Sequence, residues 1–204
     1  MIDQRFALLA LVFNAVGITF YIRKTLRGEI KPHPVTWMLW MTVPLIALVA
    51  QVGAGVGLPA LITLAVAINP AIVLALLTRY PKLRWSVTVS DVVCGIVAAS
   101  ALVAWVAFRD TEIAIGLAIS ADAIAAIPTY KKAWSNPESE SAFLYGCLVV
   151  SASITLLSVP SFDFRNYGFA AYLGVLGLSL SLVIVLRGRF RRVDNVGSVR
   201  TNAT

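Results

Sequence analysis

Seven apolar stretches divide this chain of 204 residues, and the cations between them fall almost entirely on alternate loops. The stretches cover residues 6–22, 35–52, 58–78, 85–107, 111–129, 142–160 and 167–186. At about 1.5 Å per residue, each suffices for a hydrocarbon core of about 30 Å. Seven crossings sort the 17 Lys and Arg into two sets. One set comprises Arg23, Lys24, Arg27 and Lys31; Arg79, Lys82 and Arg84; Lys131 and Lys132; and the segment from Arg187. The other holds only Arg5, Arg109 and Arg165. Positive charge is retained on the cytoplasmic side, so the pattern predicts an N-terminus outside and a C-terminus in the cytoplasm of an inner or plasma membrane. Removing any one span would scramble the asymmetry.

With 59% hydrophobic and 13% charged residues, the chain does not have the make-up of a soluble domain. The net charge of +7 flanks apolar spans and forms no patch with interleaved aromatics, so it orients the chain in lipid and predicts no nucleic-acid partner. Cys94 and Cys147 lie alone inside spans, without metal-ligand spacing, and read as small apolar residues. Segment 6–22 is followed by its cations, where a signal peptide would be preceded by them, so it reads as a retained span. The basic segment 189–204 reads as an irregular cytoplasmic tail.

Spans one and five end alike: an intramembrane polar residue, an aromatic, two cations, then a turn containing proline. An ungapped shift of 108 residues sets Asn14 on Asp122, Arg23 and Lys24 on Lys131 and Lys132, Trp37 on Tyr145, and Arg79 on Arg187. Three spans is an odd number, so an intervening fourth restores the direction of the second triplet. The expected fold is therefore an all-α integral membrane protein of seven transmembrane helices, as two parallel three-helix bundles joined by a linker helix (3+1+3). Residues 1–80 form the first repeat, 81–110 the linker and 111–188 the second repeat.

In this layout KPHPVTWMLW (31–40) and IPTYKKAWSNPESES (127–141) resemble the PQ-loop superfamily, which includes the SWEET sugar transporters and the KDEL receptor. The resemblance covers about residues 5–188. The Pro-Gln pair that names the group is Pro128-Thr129 in the second repeat and Phe20-Tyr21 in the first, so the likeness is one of plan and carries no substrate subfamily. It implies transport by alternating access, with a non-transporting membrane receptor or assembly factor on the same fold as the alternative.

Depth counted from the cations locates the polar groups. Asp122 and Asn14 each precede a cation pair by nine residues, about 13 Å, whereas Asn69 and Gly177 precede Arg79 and Arg187 by ten, about 15 Å. All four approach the midplane, where repeat-built transporters bind substrate. A carboxylate there costs at least ~2.5–3.5 kcal/mol, so Asp122 is expected to bind a proton or a cationic solute, or to staple helices as a neutral or paired acid. In SWEET-like proteins an Asn in the third helix of each repeat contacts sugar; Asn69 matches, and Gly177 departs from the pattern. Asp91 and His33 are further proton-coupling candidates, with ion pairing near the cytoplasmic edge and helix capping as their plainer roles. Pro44 and Pro128 are hinge candidates, and Trp37 with Tyr145 gate candidates. The other tryptophans, Trp40, Trp85, Trp105 and Trp134, read as an aromatic belt at the headgroups. No metal or cofactor motif and no Ser/His/Asp set occurs, so an enzyme is not expected. The expected partners are a small polar solute, protons and membrane lipids, with self-association left open.

Overall fold

The structure is a computed structural model that describes residues 4–57, 60–107, 111–159 and 161–201. Among the described residues it is helical throughout, with no strand. Seven α-helices follow in chain order: α1 (Ala7–Leu26), α2 (Pro34–Gly53), α3 (Ala60–Arg79), α4 (Val89–Ala107), α5 (Thr111–Ser135), α6 (Ala142–Ser158) and α7 (Phe164–Thr201). Short 3-10 turns at Pro81–Leu83 and Pro137–Ser139 lead into α4 and α6. Pro59 and Arg109 lie outside the described residues, as does the side chain of Trp105.

The helix ends follow from local chemistry. α1 and α2 both stop at a glycine with φ +73°, Gly28 and Gly55, a left-handed conformation that only glycine adopts cheaply. Around each, two amides turn back onto the last helical carbonyls: Gly28 N–H to Thr25 and Glu29 N–H to Lys24, then Gly55 N–H to Val52 and Val56 N–H to Gln51. α4 begins four residues later than the apolar run, because Thr88 and Asp91 make a capping box. The Asp91 carboxylate accepts from Thr88 N–H at 2.8 Å and from the Thr88 hydroxyl at 2.7 Å. Ser141 caps α6 by accepting from Leu144 N–H, and Asp163 caps α7 by accepting from Asn166 N–H. The hydroxyl of Ser161 also donates to Asp163, and these donors hold that exposed carboxyl below its ordinary range.

Among the described residues, four helices are long and apolar enough to cross a membrane: Leu8–Leu26, Pro34–Gly53, Ala60–Arg79 and Phe164–Arg191. α6 is apolar but shorter, at 17 residues. The outward face of α1 presents Leu8, Val12, Val16 and Phe20 at helical spacing, all exposed. A soluble monomer rarely leaves such a stripe uncovered, and a hydrocarbon solvent accounts for it. α7 departs from the expected irregular tail and runs on as helix to Thr201. Its segment 187–192 contains no proline and four arginines, which are good helix formers.

Packing is paired across the chain. α3 packs on both α1 and α2, and α7 on both α5 and α6. The two groups meet through α1 against α6 and α2 against α5. α4 lies mainly on α5, with a lesser contact to α2. The core runs down the centre of this assembly, from Ile115 and Phe169 past Ala121, Ala125 and Leu173 to Trp37 and Tyr145.

Candidate functional site

A cavity opens at the centre of the bundle, where α1, α2, α3, α5, α6 and α7 converge. Asn14 of α1, Asn69 of α3, Asp122 of α5, Trp37 of α2 and Tyr145 of α6 all line it. The cavity therefore brings together three of the four expected binding residues and both gate candidates. The cavity has room for about 60 Å³. At ~10–15 Å³ per water position, that is room for a handful of waters or a solute of similar bulk.

The polar side chains are held by specific partners. Asn69 Nδ2 donates to Asn14 Oδ1, which links α3 to α1. Asp122 is 2% exposed, and its Oδ2 accepts from the Tyr172 hydroxyl at 2.6 Å. Among the described residues no donor reaches its Oδ1. Tyr172 was missing from the sequence reading. The signal was available, since a tyrosine within an apolar span must hand its hydroxyl to an acceptor.

Proline adds backbone acceptors. Pro44 and Pro70 lie inside α2 and α3, and neither can donate to the carbonyl four residues earlier. Those carbonyls belong to Trp40 and Val66, and both residues line the cavity. Pro128 frees the carbonyl of Ile124 in α5, which packs against the core outside the lining.

On the side of the basic loops an aromatic layer lies against the cavity. Tyr21, Trp37, Trp40 and Tyr145 follow one another with ring centroids 5.0, 5.6 and 6.3 Å apart. Trp37 and Trp40 are 3% and 8% exposed, so they belong to the interior and not to the headgroup belt. Trp134 does fit the belt: it is exposed, with the Arg187 guanidinium 4.4 Å over its ring. Beneath the layer Lys132 forms a buried ion pair with Glu140 and donates to the backbone carbonyl of Lys31. The Tyr145 hydroxyl donates to Glu140 at 3.4 Å, tying layer and ion pair together.

Three of the expected binding and proton-coupling residues stand apart from the cavity. Gly177 is buried on α7 against α6, where a Cβ would meet the Tyr145 carbonyl oxygen at 2.9 Å. Its role in the structure is close helix approach, because the ten-residue count fixes depth but not the side of the helix. Asp91 and His33 meet each other at 3.2 Å on the loop side, joining the start of α4 to the start of α2. His33 is 1% exposed, and its Nδ1 has no partner. The ring is therefore the Nε2–H tautomer donating to Asp91, and burial lowers its pKa below the ordinary value.

Comparison with protein-family models, with curated proteins and with solved structures finds no match.

Proposed function

We propose that the chain is a membrane transporter of a small polar solute, working by alternating access between two parallel three-helix bundles, with Asp122 as the proton-coupling group. In this reading all seven helices cross an inner or plasma membrane, α4 is the linker, and the N-terminus lies outside. The observation that carries it is the convergence of Asn14, Asn69 and Asp122, from both halves of the chain, on one internal cavity. The packing supports the same plan. If α1, α2 and α3 are matched to α5, α6 and α7, the contact of α1 with α6 becomes that of α5 with α2, and both exist. A carboxylate shared between two such halves can be loaded from either side as they rock.

The alternative, a receptor without transport, would present fixed cations to a ligand in an open cavity. Arg23 and Lys131 are exposed, and no Lys, Arg or His lines the cavity, which favours transport. The test is uptake of a metabolite panel into proteoliposomes with and without a pH gradient. Gradient-driven uptake should be present in wild type and absent in Asp122→Asn. Equal gradient-driven uptake by the two proteins would remove the coupling role. Reporters fused at residues 1 and 204 should be found outside and inside, respectively.

A further inference from the structure

We infer that the solute is a small organic cation of the ammonium type, exchanged for a proton at Asp122. This rests on the transport reading and narrows it to a substrate class. Three properties of the cavity converge on that class.

The first is charge. Among the described residues Asp122 is the sole charged side chain in the lining. An anionic solute would meet a carboxylate with no counter-charge. A cation would instead supply what a carboxylate in an apolar wall requires.

The second is the set of neutral groups. Asn14 and Asn69 spend one acceptor and one donor on each other, and the carbonyls of Trp40 and Val66 lose their helical donors to proline. Together with the carboxylate these oxygens weight the site towards negative ends of dipoles, which suits a cation whether or not it carries N–H groups. A sugar with hydroxyls around its ring would leave several unpaired against Ile18, Leu148, Leu173 and Leu176, at ~1–3 kcal/mol each.

The third is the aromatic wall. Trp37 and Trp40 line the cavity while their indole nitrogens are covered, so they offer it carbon surface. Tyr145 adds a third aromatic side chain whose hydroxyl is already directed to Glu140. Aromatic carbon beside a carboxylate is a setting in which ammonium ions bind well. The volume restricts the ion to a few heavy atoms.

One carboxylate can be neutralised by a proton or by the cation, and not by both at once. Binding of the cation therefore releases the Asp122 proton to solvent on that side, and re-protonation on the other side releases the cation. The titratable groups facing Asp122 are phenols, Tyr172 from α7 and Tyr145 from α6. No charged group of α1, α2 or α3 lines the cavity. Lys132 and Glu140 neutralise each other behind the aromatic layer, and α4 contributes Asp91, which is engaged by His33 at the loop end.

The probe is tetramethylammonium, whose fixed charge prevents passive crossing as a neutral base. Methanesulfonate and erythritol serve as an anion and a neutral polyol. Into acid-loaded proteoliposomes, wild type should accumulate radiolabelled tetramethylammonium at least about tenfold above Asp122→Asn, while an internal pH dye reports alkalinisation. In detergent, tetramethylammonium should quench wild-type tryptophan fluorescence, with a Kd that rises as pH falls, a readout independent of how the variant folds. Uptake of methanesulfonate or erythritol without tetramethylammonium would overturn the cation assignment and leave transport standing. Quenching without uptake of any probe would keep the site and remove the transport reading. Neither quenching nor uptake of tetramethylammonium would overturn the inference outright.

Discussion

Asp122 and His33 are both almost fully buried, yet their settings ask opposite things of them. Asp122 holds one hydroxyl and faces a cavity, so its environment changes whenever the cavity fills. His33 is fixed between Asp91 and the first turn of α2, where its carbonyl accepts from Trp37 N–H. Burial is the largest influence on His33 and holds its pKa below 6.5, outweighing the upward pull of Asp91. The unfolded chain therefore takes up the proton more readily than the folded one. Stability from this group is complete above about pH 6.5 and is lost as pH falls toward the folded-state value. Thermal unfolding in detergent should show a midpoint that drops between about pH 7 and 5, and His33→Gln should flatten that slope. An unchanged slope in the variant would mean that another group carries the acid sensitivity. At this scale the sequence was partly readable. Counting residues from the cations set Asn14, Asn69 and Asp122 at a common depth, and depth alone was enough for them. It misled for Gly177, because depth says nothing about which neighbour a helix face meets. It was silent on Tyr172, whose partner lies 50 residues earlier in the chain.

Between elements, the sharpest feature is the Lys132–Glu140 pair, which ties the end of α5 to the turn before α6. Its side chains are 1% and 0% exposed, so the two charges are compensated almost wholly by each other and by the groups around them. Lys132→Met would leave Glu140 buried without its counter-ion and should cost about 3–5 kcal/mol. The double variant Lys132→Met, Glu140→Gln should recover most of that loss. Unfolding midpoints of the two proteins decide the matter: equal losses would show that packing, and not charge, holds this corner. The sequence marked Lys132 as a topology anchor, because a cation beside an apolar span ordinarily reaches the headgroups. The carboxylate that redirects it is eight positions away, in a turn whose shape is set by Pro137 and the 3-10 residues after it. Trp40 was misplaced in the same way. It stands near a helix start, where belts form, but its ring packs against Trp37 and Tyr145 inside the bundle.

In the whole molecule, what was legible was the all-helical build, with apolar helices parted by basic loops. How the helices face each other was not legible, since it depends on small residues such as Gly17. A Cβ on Gly17 would come within 2.8 Å of the Cys147 Cβ, so α1 and α6 are nearly in backbone contact. Gly17→Cys should therefore form a disulfide with Cys147 under oxidation, after a separation of about 1 Å brings the Cβ atoms to the usual ~3.8 Å. Joined in this way, the halves could not move apart along that seam. Uptake should stop on oxidation and return with reductant. Full uptake by the cross-linked protein would show that the α1–α6 seam stays shut throughout the cycle.

The clamps at the basic-loop end have a directional consequence. Lys132 with Glu140, His33 with Asp91, and the backbone bonds from Lys31 to Ser139 and from Trp85 to Pro32 all fasten the same end of the bundle. Parting that end breaks several bonds together, so under the proposed alternating access the resting state is closed there and fills first from the far compartment. An impermeant blocker should then act from one face only, a sidedness that the proposed pairing of two like halves would not by itself suggest.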